Sequence, residues 1–478
     1  MDLLTLRAAA GGGTLDGQPA GALVAAGFTL LQRSAPVVRA LAGRRAAVLV
    51  PASPQFLVAL AASDGRGAVL INPLAAPAEV AAQLRDANVG AVFTVRALAN
   101  RLPAGTMHVL LDDAPTTATV VAADGTTNTV DLGSHFGLSL EGDADSPGRD
   151  EECAIVYTSA MEGTPLGAVL THRNLMANAR QAVEAAHNSV DDHVLALLPF
   201  AHLFGLTVSA MAPLFVGARV TTMARFNPLV AVDLLESEEV TELVGVPAVF
   251  AGLLAAIERR GGRLRAPALR LCVCGGAPLP LALQERWAAA TGVELRQGYG
   301  LTEASPVALF NRVDRANARG TLGWPFPGVQ VTIREPETNR ECPVGVLGEI
   351  CIAGDTVFRG YVRNGGAGLR VLDGWLHSGD LGRQRDDGSI EFHGLRKVMF
   401  TRNGFNVYPR EVERVLAAMP GVRSVQCTGV PDAMSEHEVA VAVNVTNGAT
   451  VSAADVKAFA EQHLAAYKRP STITFATA

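Results

Sequence analysis

From about residue 194 onward, apolar runs of strand length alternate with longer helix-length segments, and that alternation constrains the fold more than any other feature of the chain. The runs VLALL, ARVTTM, TELVGV, LRLCVCG and VELRQGY are separated by helical patterns that open after Phe204, Pro228 and Pro247 and by one over 281–290. Repeated strand–helix order of this kind predicts a mostly parallel sheet covered by helices. The earlier runs AAVLV, AVLINP and AVFTV, set among helix-like stretches, predict a second α/β lobe. Sites in such sheets form outside the carboxyl edges of the strands.

The pattern changes after Gly320. GTLGWPFPG, GEICIAG and GSIEFHG bring dense Gly and Pro with short alternating strands, which predicts a β-rich module over about 320–392. A boundary near His393 then separates a body of residues 1–392 from a small α+β lid of residues 393–478. In the lid the pattern predicts a helix over 409–417, two strands flanking Pro431, a helix over 453–465 and a last strand near Ile473. A chain of 478 residues, 49% hydrophobic, is too long for one compact domain, which agrees with this division.

The formal net charge is −6, from 40 Lys+Arg against 46 Asp+Glu, and no basic tract of the kind that attracts nucleic acid is present. Small molecules are the expected partners. The opening MDLLTLRAAAGGG carries Asp2 where a signal peptide needs cations, and Arg7 interrupts its apolar run, so a cytoplasmic location is expected. The most apolar segment, 195–220, is broken by Pro199, His202, Pro213 and Gly217, and no membrane span is expected. The six cysteines are scattered; Cys272 and Cys274 share one apolar strand with no second cluster to complete a zinc site.

Between a strand over 153–157 and a helix from Asn174 lies TSAMEGTPLGAVLTHRN, where the backbone amides of small residues can wrap an anion. Further segments follow in order: INPLAAPAEVAAQL, LPFAHLFGL, GGAPLP, GYGLTEASP, GTLGWPFPG, GEICIAG, HSGDLG and GFNVYPREVE. Together they resemble the motifs of the adenylate-forming superfamily, which includes acyl-CoA synthetases, peptide-synthetase adenylation domains and luciferases. The resemblance runs over nearly the whole chain. It implies an α/β fold with two lobes and a β-barrel-like subdomain, capped by the mobile carboxyl-terminal lid.

Such enzymes join a carboxylic acid to ATP, release pyrophosphate, and pass the acyl group to CoA or to the phosphopantetheine of an acyl carrier protein. The resemblance makes Glu303 the Mg²⁺ ligand, since magnesium favours one or two carboxylates beside phosphate oxygens, and gives Thr302 to the α-phosphate. Tyr299 is expected to stack on adenine against a backbone wall of Gly275, Gly276, Ala277 and Pro278, with Gly300 permitting close approach. Asp380 matches the carboxylate that accepts both ribose hydroxyls. Thr158, Ser159, Gly163 and Gly167 frame the phosphate loop, Gly404 and Phe405 face the thiol acceptor, and His202 stands at the mouth of the acyl pocket. Phe204, Val246, Phe250 and Ala304 are expected to line that pocket with His202. FAHLFGLTVSA lacks the acid that binds a substrate amino group in peptide-synthetase domains, which points to a fatty or aryl acid.

The phosphate loop departs from the family's TSGTTG-x-PKG. Ala160 replaces a glycine, Met161 and Glu162 replace hydroxyls, and Leu166 replaces a lysine. The chain ends at Ala478, ten residues past Lys468 (478 minus 468), and the family's adenylating G-K pair is not within it. Leu395 falls where the family has a ribose-binding arginine, with Arg396 as the substitute and Lys397 at the hinge position. Losing a donor aimed at transition-state charge costs on the order of 10²–10³ in rate. Two readings follow: an acyl-activating ligase, and a degenerate relative that binds acyl, adenylate or carrier-protein partners without efficient ATP chemistry. An oxidoreductase is set aside because no G-x-G-x-x-G turn follows an early strand.

Overall fold

A computed structural model of the chain describes residues 12–63, 67–111, 116–133, 150–158, 165–237, 239–363, 371–395, 399–446 and 449–475. The strand–helix alternation folds into a nine-stranded sheet. At its centre Arg219–Thr222, His193–Ala196, Glu242–Gly245, Leu271–Cys274 and Leu295–Gly300 lie side by side and parallel. Leu271, Cys272, Val273 and Cys274 are all buried, as expected of a strand covered on both faces. The helix Pro247–Arg259 starts on a proline, which suits a first turn whose N–H groups lack helical partners.

The earlier lobe is a second nine-stranded sheet. Arg45–Leu49, Ala68–Leu70, Val89–Thr94 and Glu152–Thr158 are its parallel centre, and Leu166–Thr171 joins antiparallel to Glu152–Thr158. Gly360–Tyr361 completes that edge. Helices Ala20–Arg33 and Pro54–Ala62 approach until a Cβ added to Gly27 would stand 2.5 Å from the Val58 carbonyl oxygen. Only glycine permits this approach. One apolar cluster unites Val48 and Leu70 of this sheet with Val194 and Leu243 of the other, so the two lobes share a core.

The β-rich module is an antiparallel sheet of Gln330–Arg334, Gly348–Ala353, Trp375–Gln384, Val371–Leu372 and Ile390–Leu395. Its Ile333, Ile350 and Leu376 join the main core. The last segment has an apolar cluster of its own, beginning at Phe400 and holding Val412, Val441 and Val456, with no residue shared with the main core. Helices Pro409–Ala417 and Ala453–His463 pack there on Val422–Asp432, Glu436–Val445 and Thr472–Phe475.

Two local expectations change. The helix after Phe204 is a π-helix, Phe204–Met211, followed by the short α-helix Ala212–Phe215. Pro431 does not separate two strands but lies inside Val422–Asp432, opposite His437. That strand is at the edge of its sheet, where a missing N–H interrupts no second ladder. Among the described residues no single helix is long and apolar enough to cross a membrane.

Phe250 is fully buried, with its ring edge-on to Trp287 at 4.9 Å between centroids. It belongs to the core, not to the acyl pocket that the sequence assigned it to. Phe250→Ala is expected to lower stability by about 3–5 kcal/mol, read as a fall in the urea midpoint, while the KM for any acid turned over stays at the wild-type value.

Candidate active site

A cavity of about 400 Å³ opens where the carboxyl ends of Leu271–Cys274 and Leu295–Gly300 meet the β-rich module and the lid. The chain turns sharply after both strands, and glycines make the turns possible. Gly276 has φ +79°. A Cβ on Gly275 would stand 3.1 Å from the Gly298 carbonyl oxygen, and one on Gly300 would collide with the Pro306 carbonyl oxygen at 1.8 Å. Gly275, Gly276, Ala277, Pro278, Tyr299 and Gly300 all line the cavity, making a wall of bare backbone and one ring that suits a flat heterocycle.

Asp380 reaches the same space from Trp375–Gln384, and the Tyr299 hydroxyl donates to its Oδ2 at 2.6 Å. Burial, and then the charge of Asp380, pushes the Tyr299 hydroxyl well above its ordinary range, so it remains a phenol and a donor. Thr302 and Glu303 stand on the short 3₁₀ turn Thr302–Ala304. Glu303 Oε1 accepts from the Tyr361 hydroxyl at 2.7 Å and from Thr158 Oγ1 at 3.3 Å. The two lobes therefore meet at one carboxylate. Among the described residues no group of three or more His, Cys, Asp or Glu is arranged to hold a metal. A single buried carboxylate lining the cavity nevertheless fits magnesium, which fills its remaining positions with water and phosphate oxygens.

His202 lines the cavity and its Nδ1 accepts from the Phe204 amide at 3.2 Å, which leaves the proton on Nε2. Burial lowers its pKa from 6.5 to about 4. Phe204 also lines the cavity, its ring against Gly275. Val246, Phe250 and Ala304 do not. Val246 lies behind the wall, near Gly276 and Gly404; Phe250 packs on Trp287; and Ala304 is fully buried on its turn. Gly167 is likewise outside the cavity, where a Cβ would press Ile155, Val362 and Tyr157 at 3.0–3.1 Å. Ser159, Gly163, Arg396 and Lys397, with the altered loop positions 160–162, lie outside the described residues.

The lid closes the cavity. Gly404, Phe405, Tyr408, Tyr467 and Lys468 face inward. Gly404, at φ +75°, is so close to the body that a Cβ there would stand 2.6 Å from Val246 Cγ1. Phe405 stacks on Tyr467 with centroids 4.5 Å apart. Burial, then Glu303 and Asp380, pushes up the Tyr408 hydroxyl, which brings this lid residue into the field of both body carboxylates. Lys468 Nζ lies 2.8 Å from Glu79 of the body and 2.7 Å from Glu411 of the lid. Burial opposes its charge, but Tyr467, Glu411 and Glu79 outweigh that and hold the ammonium well above its ordinary range. Tyr361, Tyr408 and Glu79 escaped the sequence reading. Glu79 and Tyr408 stand inside quoted motifs, INPLAAPAEVAAQL and GFNVYPREVE, and Tyr361 outside them, but only their positions in space show that they reach the cavity.

The profile described as AMP-binding enzyme matches residues 39–362, and that described as AMP-binding enzyme C-terminal domain matches 411–478. The chain belongs to the AMP-binding enzyme family, and its class is that of the AMP-forming acid–thiol ligases. It is 31% identical to a feruloyl-CoA synthase of Amycolatopsis sp over 91% of this chain and 85% of the relative. It is 28% identical to a long-chain-fatty-acid–CoA ligase of Bacillus subtilis (strain 168) over 91% of this chain and 82% of that one. Its fold matches a malonyl-CoA ligase solved as a ternary product complex with methylmalonyl-CoA and AMP, with a TM-score of 0.81, 24% identity, and coverage of 99% and 97% of the two chains.

A histidine lowered to about 4 is neutral at neutral pH. The His202 ring proton resonance is expected to show no titration between about pH 5.5 and 8. Because the unfolded state binds the proton more readily, this group's contribution to stability is present above pH 6.5 and declines as pH falls from 6.5 towards about 4. A His202→Gln variant should have a flatter stability profile over that interval in pH-dependent urea titrations.

Proposed function

We propose that the chain activates a fatty or aryl carboxylic acid without an α-amino group as its acyl adenylate and transfers the acyl group to the thiol of CoA or of a carrier-protein phosphopantetheine. The observation that carries this reading is one continuous cavity with Tyr299, Asp380 and Glu303 on the body side and Gly404 and Phe405 on the lid side. The matches to a feruloyl-CoA synthase and a long-chain-fatty-acid–CoA ligase support both the acid class and CoA as acceptor. Adenine would lie against Tyr299 and the 275–278 wall, and the ribose hydroxyls would replace the Tyr299 hydroxyl on Asp380. Thr302 would donate to the α-phosphate, and Glu303 would hold magnesium. Bound there, magnesium supplies positive charge to the phosphates. Neutral His202 and Phe204 would shape the acyl entrance, and the segment that carries them, FAHLFGLTVSA, holds no acid to bind a substrate ammonium.

The lid orientation suits the second half of the reaction. Gly404 and Phe405 face the cavity from the lid, and without a side chain at Gly404 the lid hairpin of Phe400–Arg402 and Phe405–Val407 seats directly on Val246. A thiol arm entering beside them would meet the acyl carbon with the nucleotide pocket still closed, and positioning of this kind is worth many orders of magnitude. A specific observation also favours the second reading, a relative slow in ATP chemistry. Leu166 lines the cavity where the family motif has lysine, and among the described cavity residues there is one lysine, already committed to Glu79 and Glu411, and no arginine.

One assay decides between them. Incubated with ATP, Mg²⁺, CoA and a panel of fatty and aryl acids, the protein is expected to release pyrophosphate and form an acyl-CoA with at least one acid. Thioester formation from preformed acyl adenylate without pyrophosphate release from ATP and acid would establish the second reading instead. Gly404→Val should slow thioester formation from preformed acyl adenylate on the order of 10²-fold while leaving acyl-adenylate formation unchanged.

A further inference from the structure

The strand Trp375–Gln384 does not run evenly beside Gly348–Ala353. Glu349 pairs with Leu381 and Cys351 with His377, so a step of two residues on one strand (351 minus 349) faces a step of four on the other (381 minus 377). The extra residues form a bulge at Ser378, Gly379 and Asp380. Gly379 takes φ +74°, a conformation that glycine adopts without strain. A bulge re-aims the side chain it carries, and this one turns Asp380 to the cavity, where it meets Tyr299.

A bulge also takes backbone groups out of the ladder, and the displaced amide of Gly379 is buried. Glu349 meets it. Its Oε1 accepts from the Gly379 amide at 2.8 Å, and its Oε2 is 3.1 Å from His377 Nδ1. Glu349 is 2% and His377 3% exposed. A carboxylate so far from water is costly unless both oxygens have partners. Here one partner is His377, just before the bulge, and the other is Gly379, at its centre. Cys351 Sγ is 3.5 Å from the same imidazole nitrogen, and burial followed by the charge of Glu349 pushes its thiol up to about 12, so it acts as a packed thiol and not as a nucleophile. Glu349 does not line the cavity. It acts on the site through the loop it holds.

We infer that Glu349 is a positioning residue for nucleotide recognition: its buried carboxylate pins the 378–380 bulge and so fixes the direction in which Asp380 presents its oxygens to ribose. This inference rests on the assignment of Asp380 to the ribose hydroxyls, and it adds a requirement that the assignment alone does not contain. The loss caused by removing Glu349 must pass through the ribose hydroxyls and must vanish when they are absent.

Calorimetry on the full chain with AMP and with 2′,3′-dideoxy-AMP tests it. Glu349→Ala is expected to weaken AMP binding roughly tenfold or more, as for loss of a charge-assisted hydrogen bond, and to leave 2′,3′-dideoxy-AMP binding at the wild-type value. Asp380→Ala is expected to do the same, and the double variant to lose nothing beyond the larger single loss. Glu349→Gln, which keeps a carbonyl for the Gly379 amide, should recover part of the AMP affinity. Wild-type AMP affinity in Glu349→Ala, equal losses for AMP and the dideoxy nucleotide, or additive losses in the double variant would each overturn the inference. Wild-type AMP affinity in Asp380→Ala would instead overturn the ribose assignment beneath it. Should the alanine variant fail to fold, Glu349→Gln carries the same comparison: a loss confined to AMP supports the inference, and an equal loss or none overturns it.

Discussion

The closed site depends on one buried cation. Lys468 bridges Glu79 on the body and Glu411 on the lid, and it is 4% exposed. Removing either partner of a buried pair leaves an uncompensated charge, which is strongly destabilising even where the intact pair contributes little net stability. The contact therefore specifies more than it strengthens. It selects a lid orientation in which Phe405 stacks on Tyr467 and Tyr408 enters the field of Glu303 and Asp380. The cavity has its fourth wall because these groups arrive together.

The same contact bears on phosphate chemistry. A cleft that handles nucleotide phosphates ordinarily presents cations to them. Here the one lysine among the described cavity residues is held by two carboxylates, and Leu166 occupies a position that the family motif gives to lysine. In this orientation the described cavity residues offer backbone, hydroxyls, amides, imidazoles and carboxylates, a set better matched, on the proposed function, to holding an adenylate than to neutralising a triphosphate. On the proposed function, that asymmetry between the two half-reactions belongs to the lid pose as much as to the sequence.

Much of the architecture was legible because it is written in short-range patterns. His193–Ala196, Glu242–Gly245 and Leu271–Cys274 are buried throughout and follow from their apolar runs, and the order of the motifs led to Tyr299, Thr302, Glu303 and Asp380, which share one cavity. The misplaced residues share a different character. Val246, Phe250 and Ala304 are apolar residues near the right strand ends, but apolarity reports burial and does not say whether the neighbour is a ligand or Trp287. Pro431 looked like a break because a proline's effect depends on whether its strand is at an edge, which the local sequence does not reveal. Glu349 stood inside a quoted motif, yet its partner Gly379 is thirty residues on (379 minus 349), and only the bulge brings them together.

Val246 is a footing shared by the 275–278 wall and the lid. Its methyl groups are the nearest atoms both to the space beside Gly276 in the nucleotide wall and to the space beside Gly404 on the lid. Enlarging that side chain would push on the wall at Gly276 and on the lid at Gly404 together, and shrinking it would loosen both. On the proposed function, redesign at this position would trade nucleotide retention against acceptor entry, because one side chain touches both places.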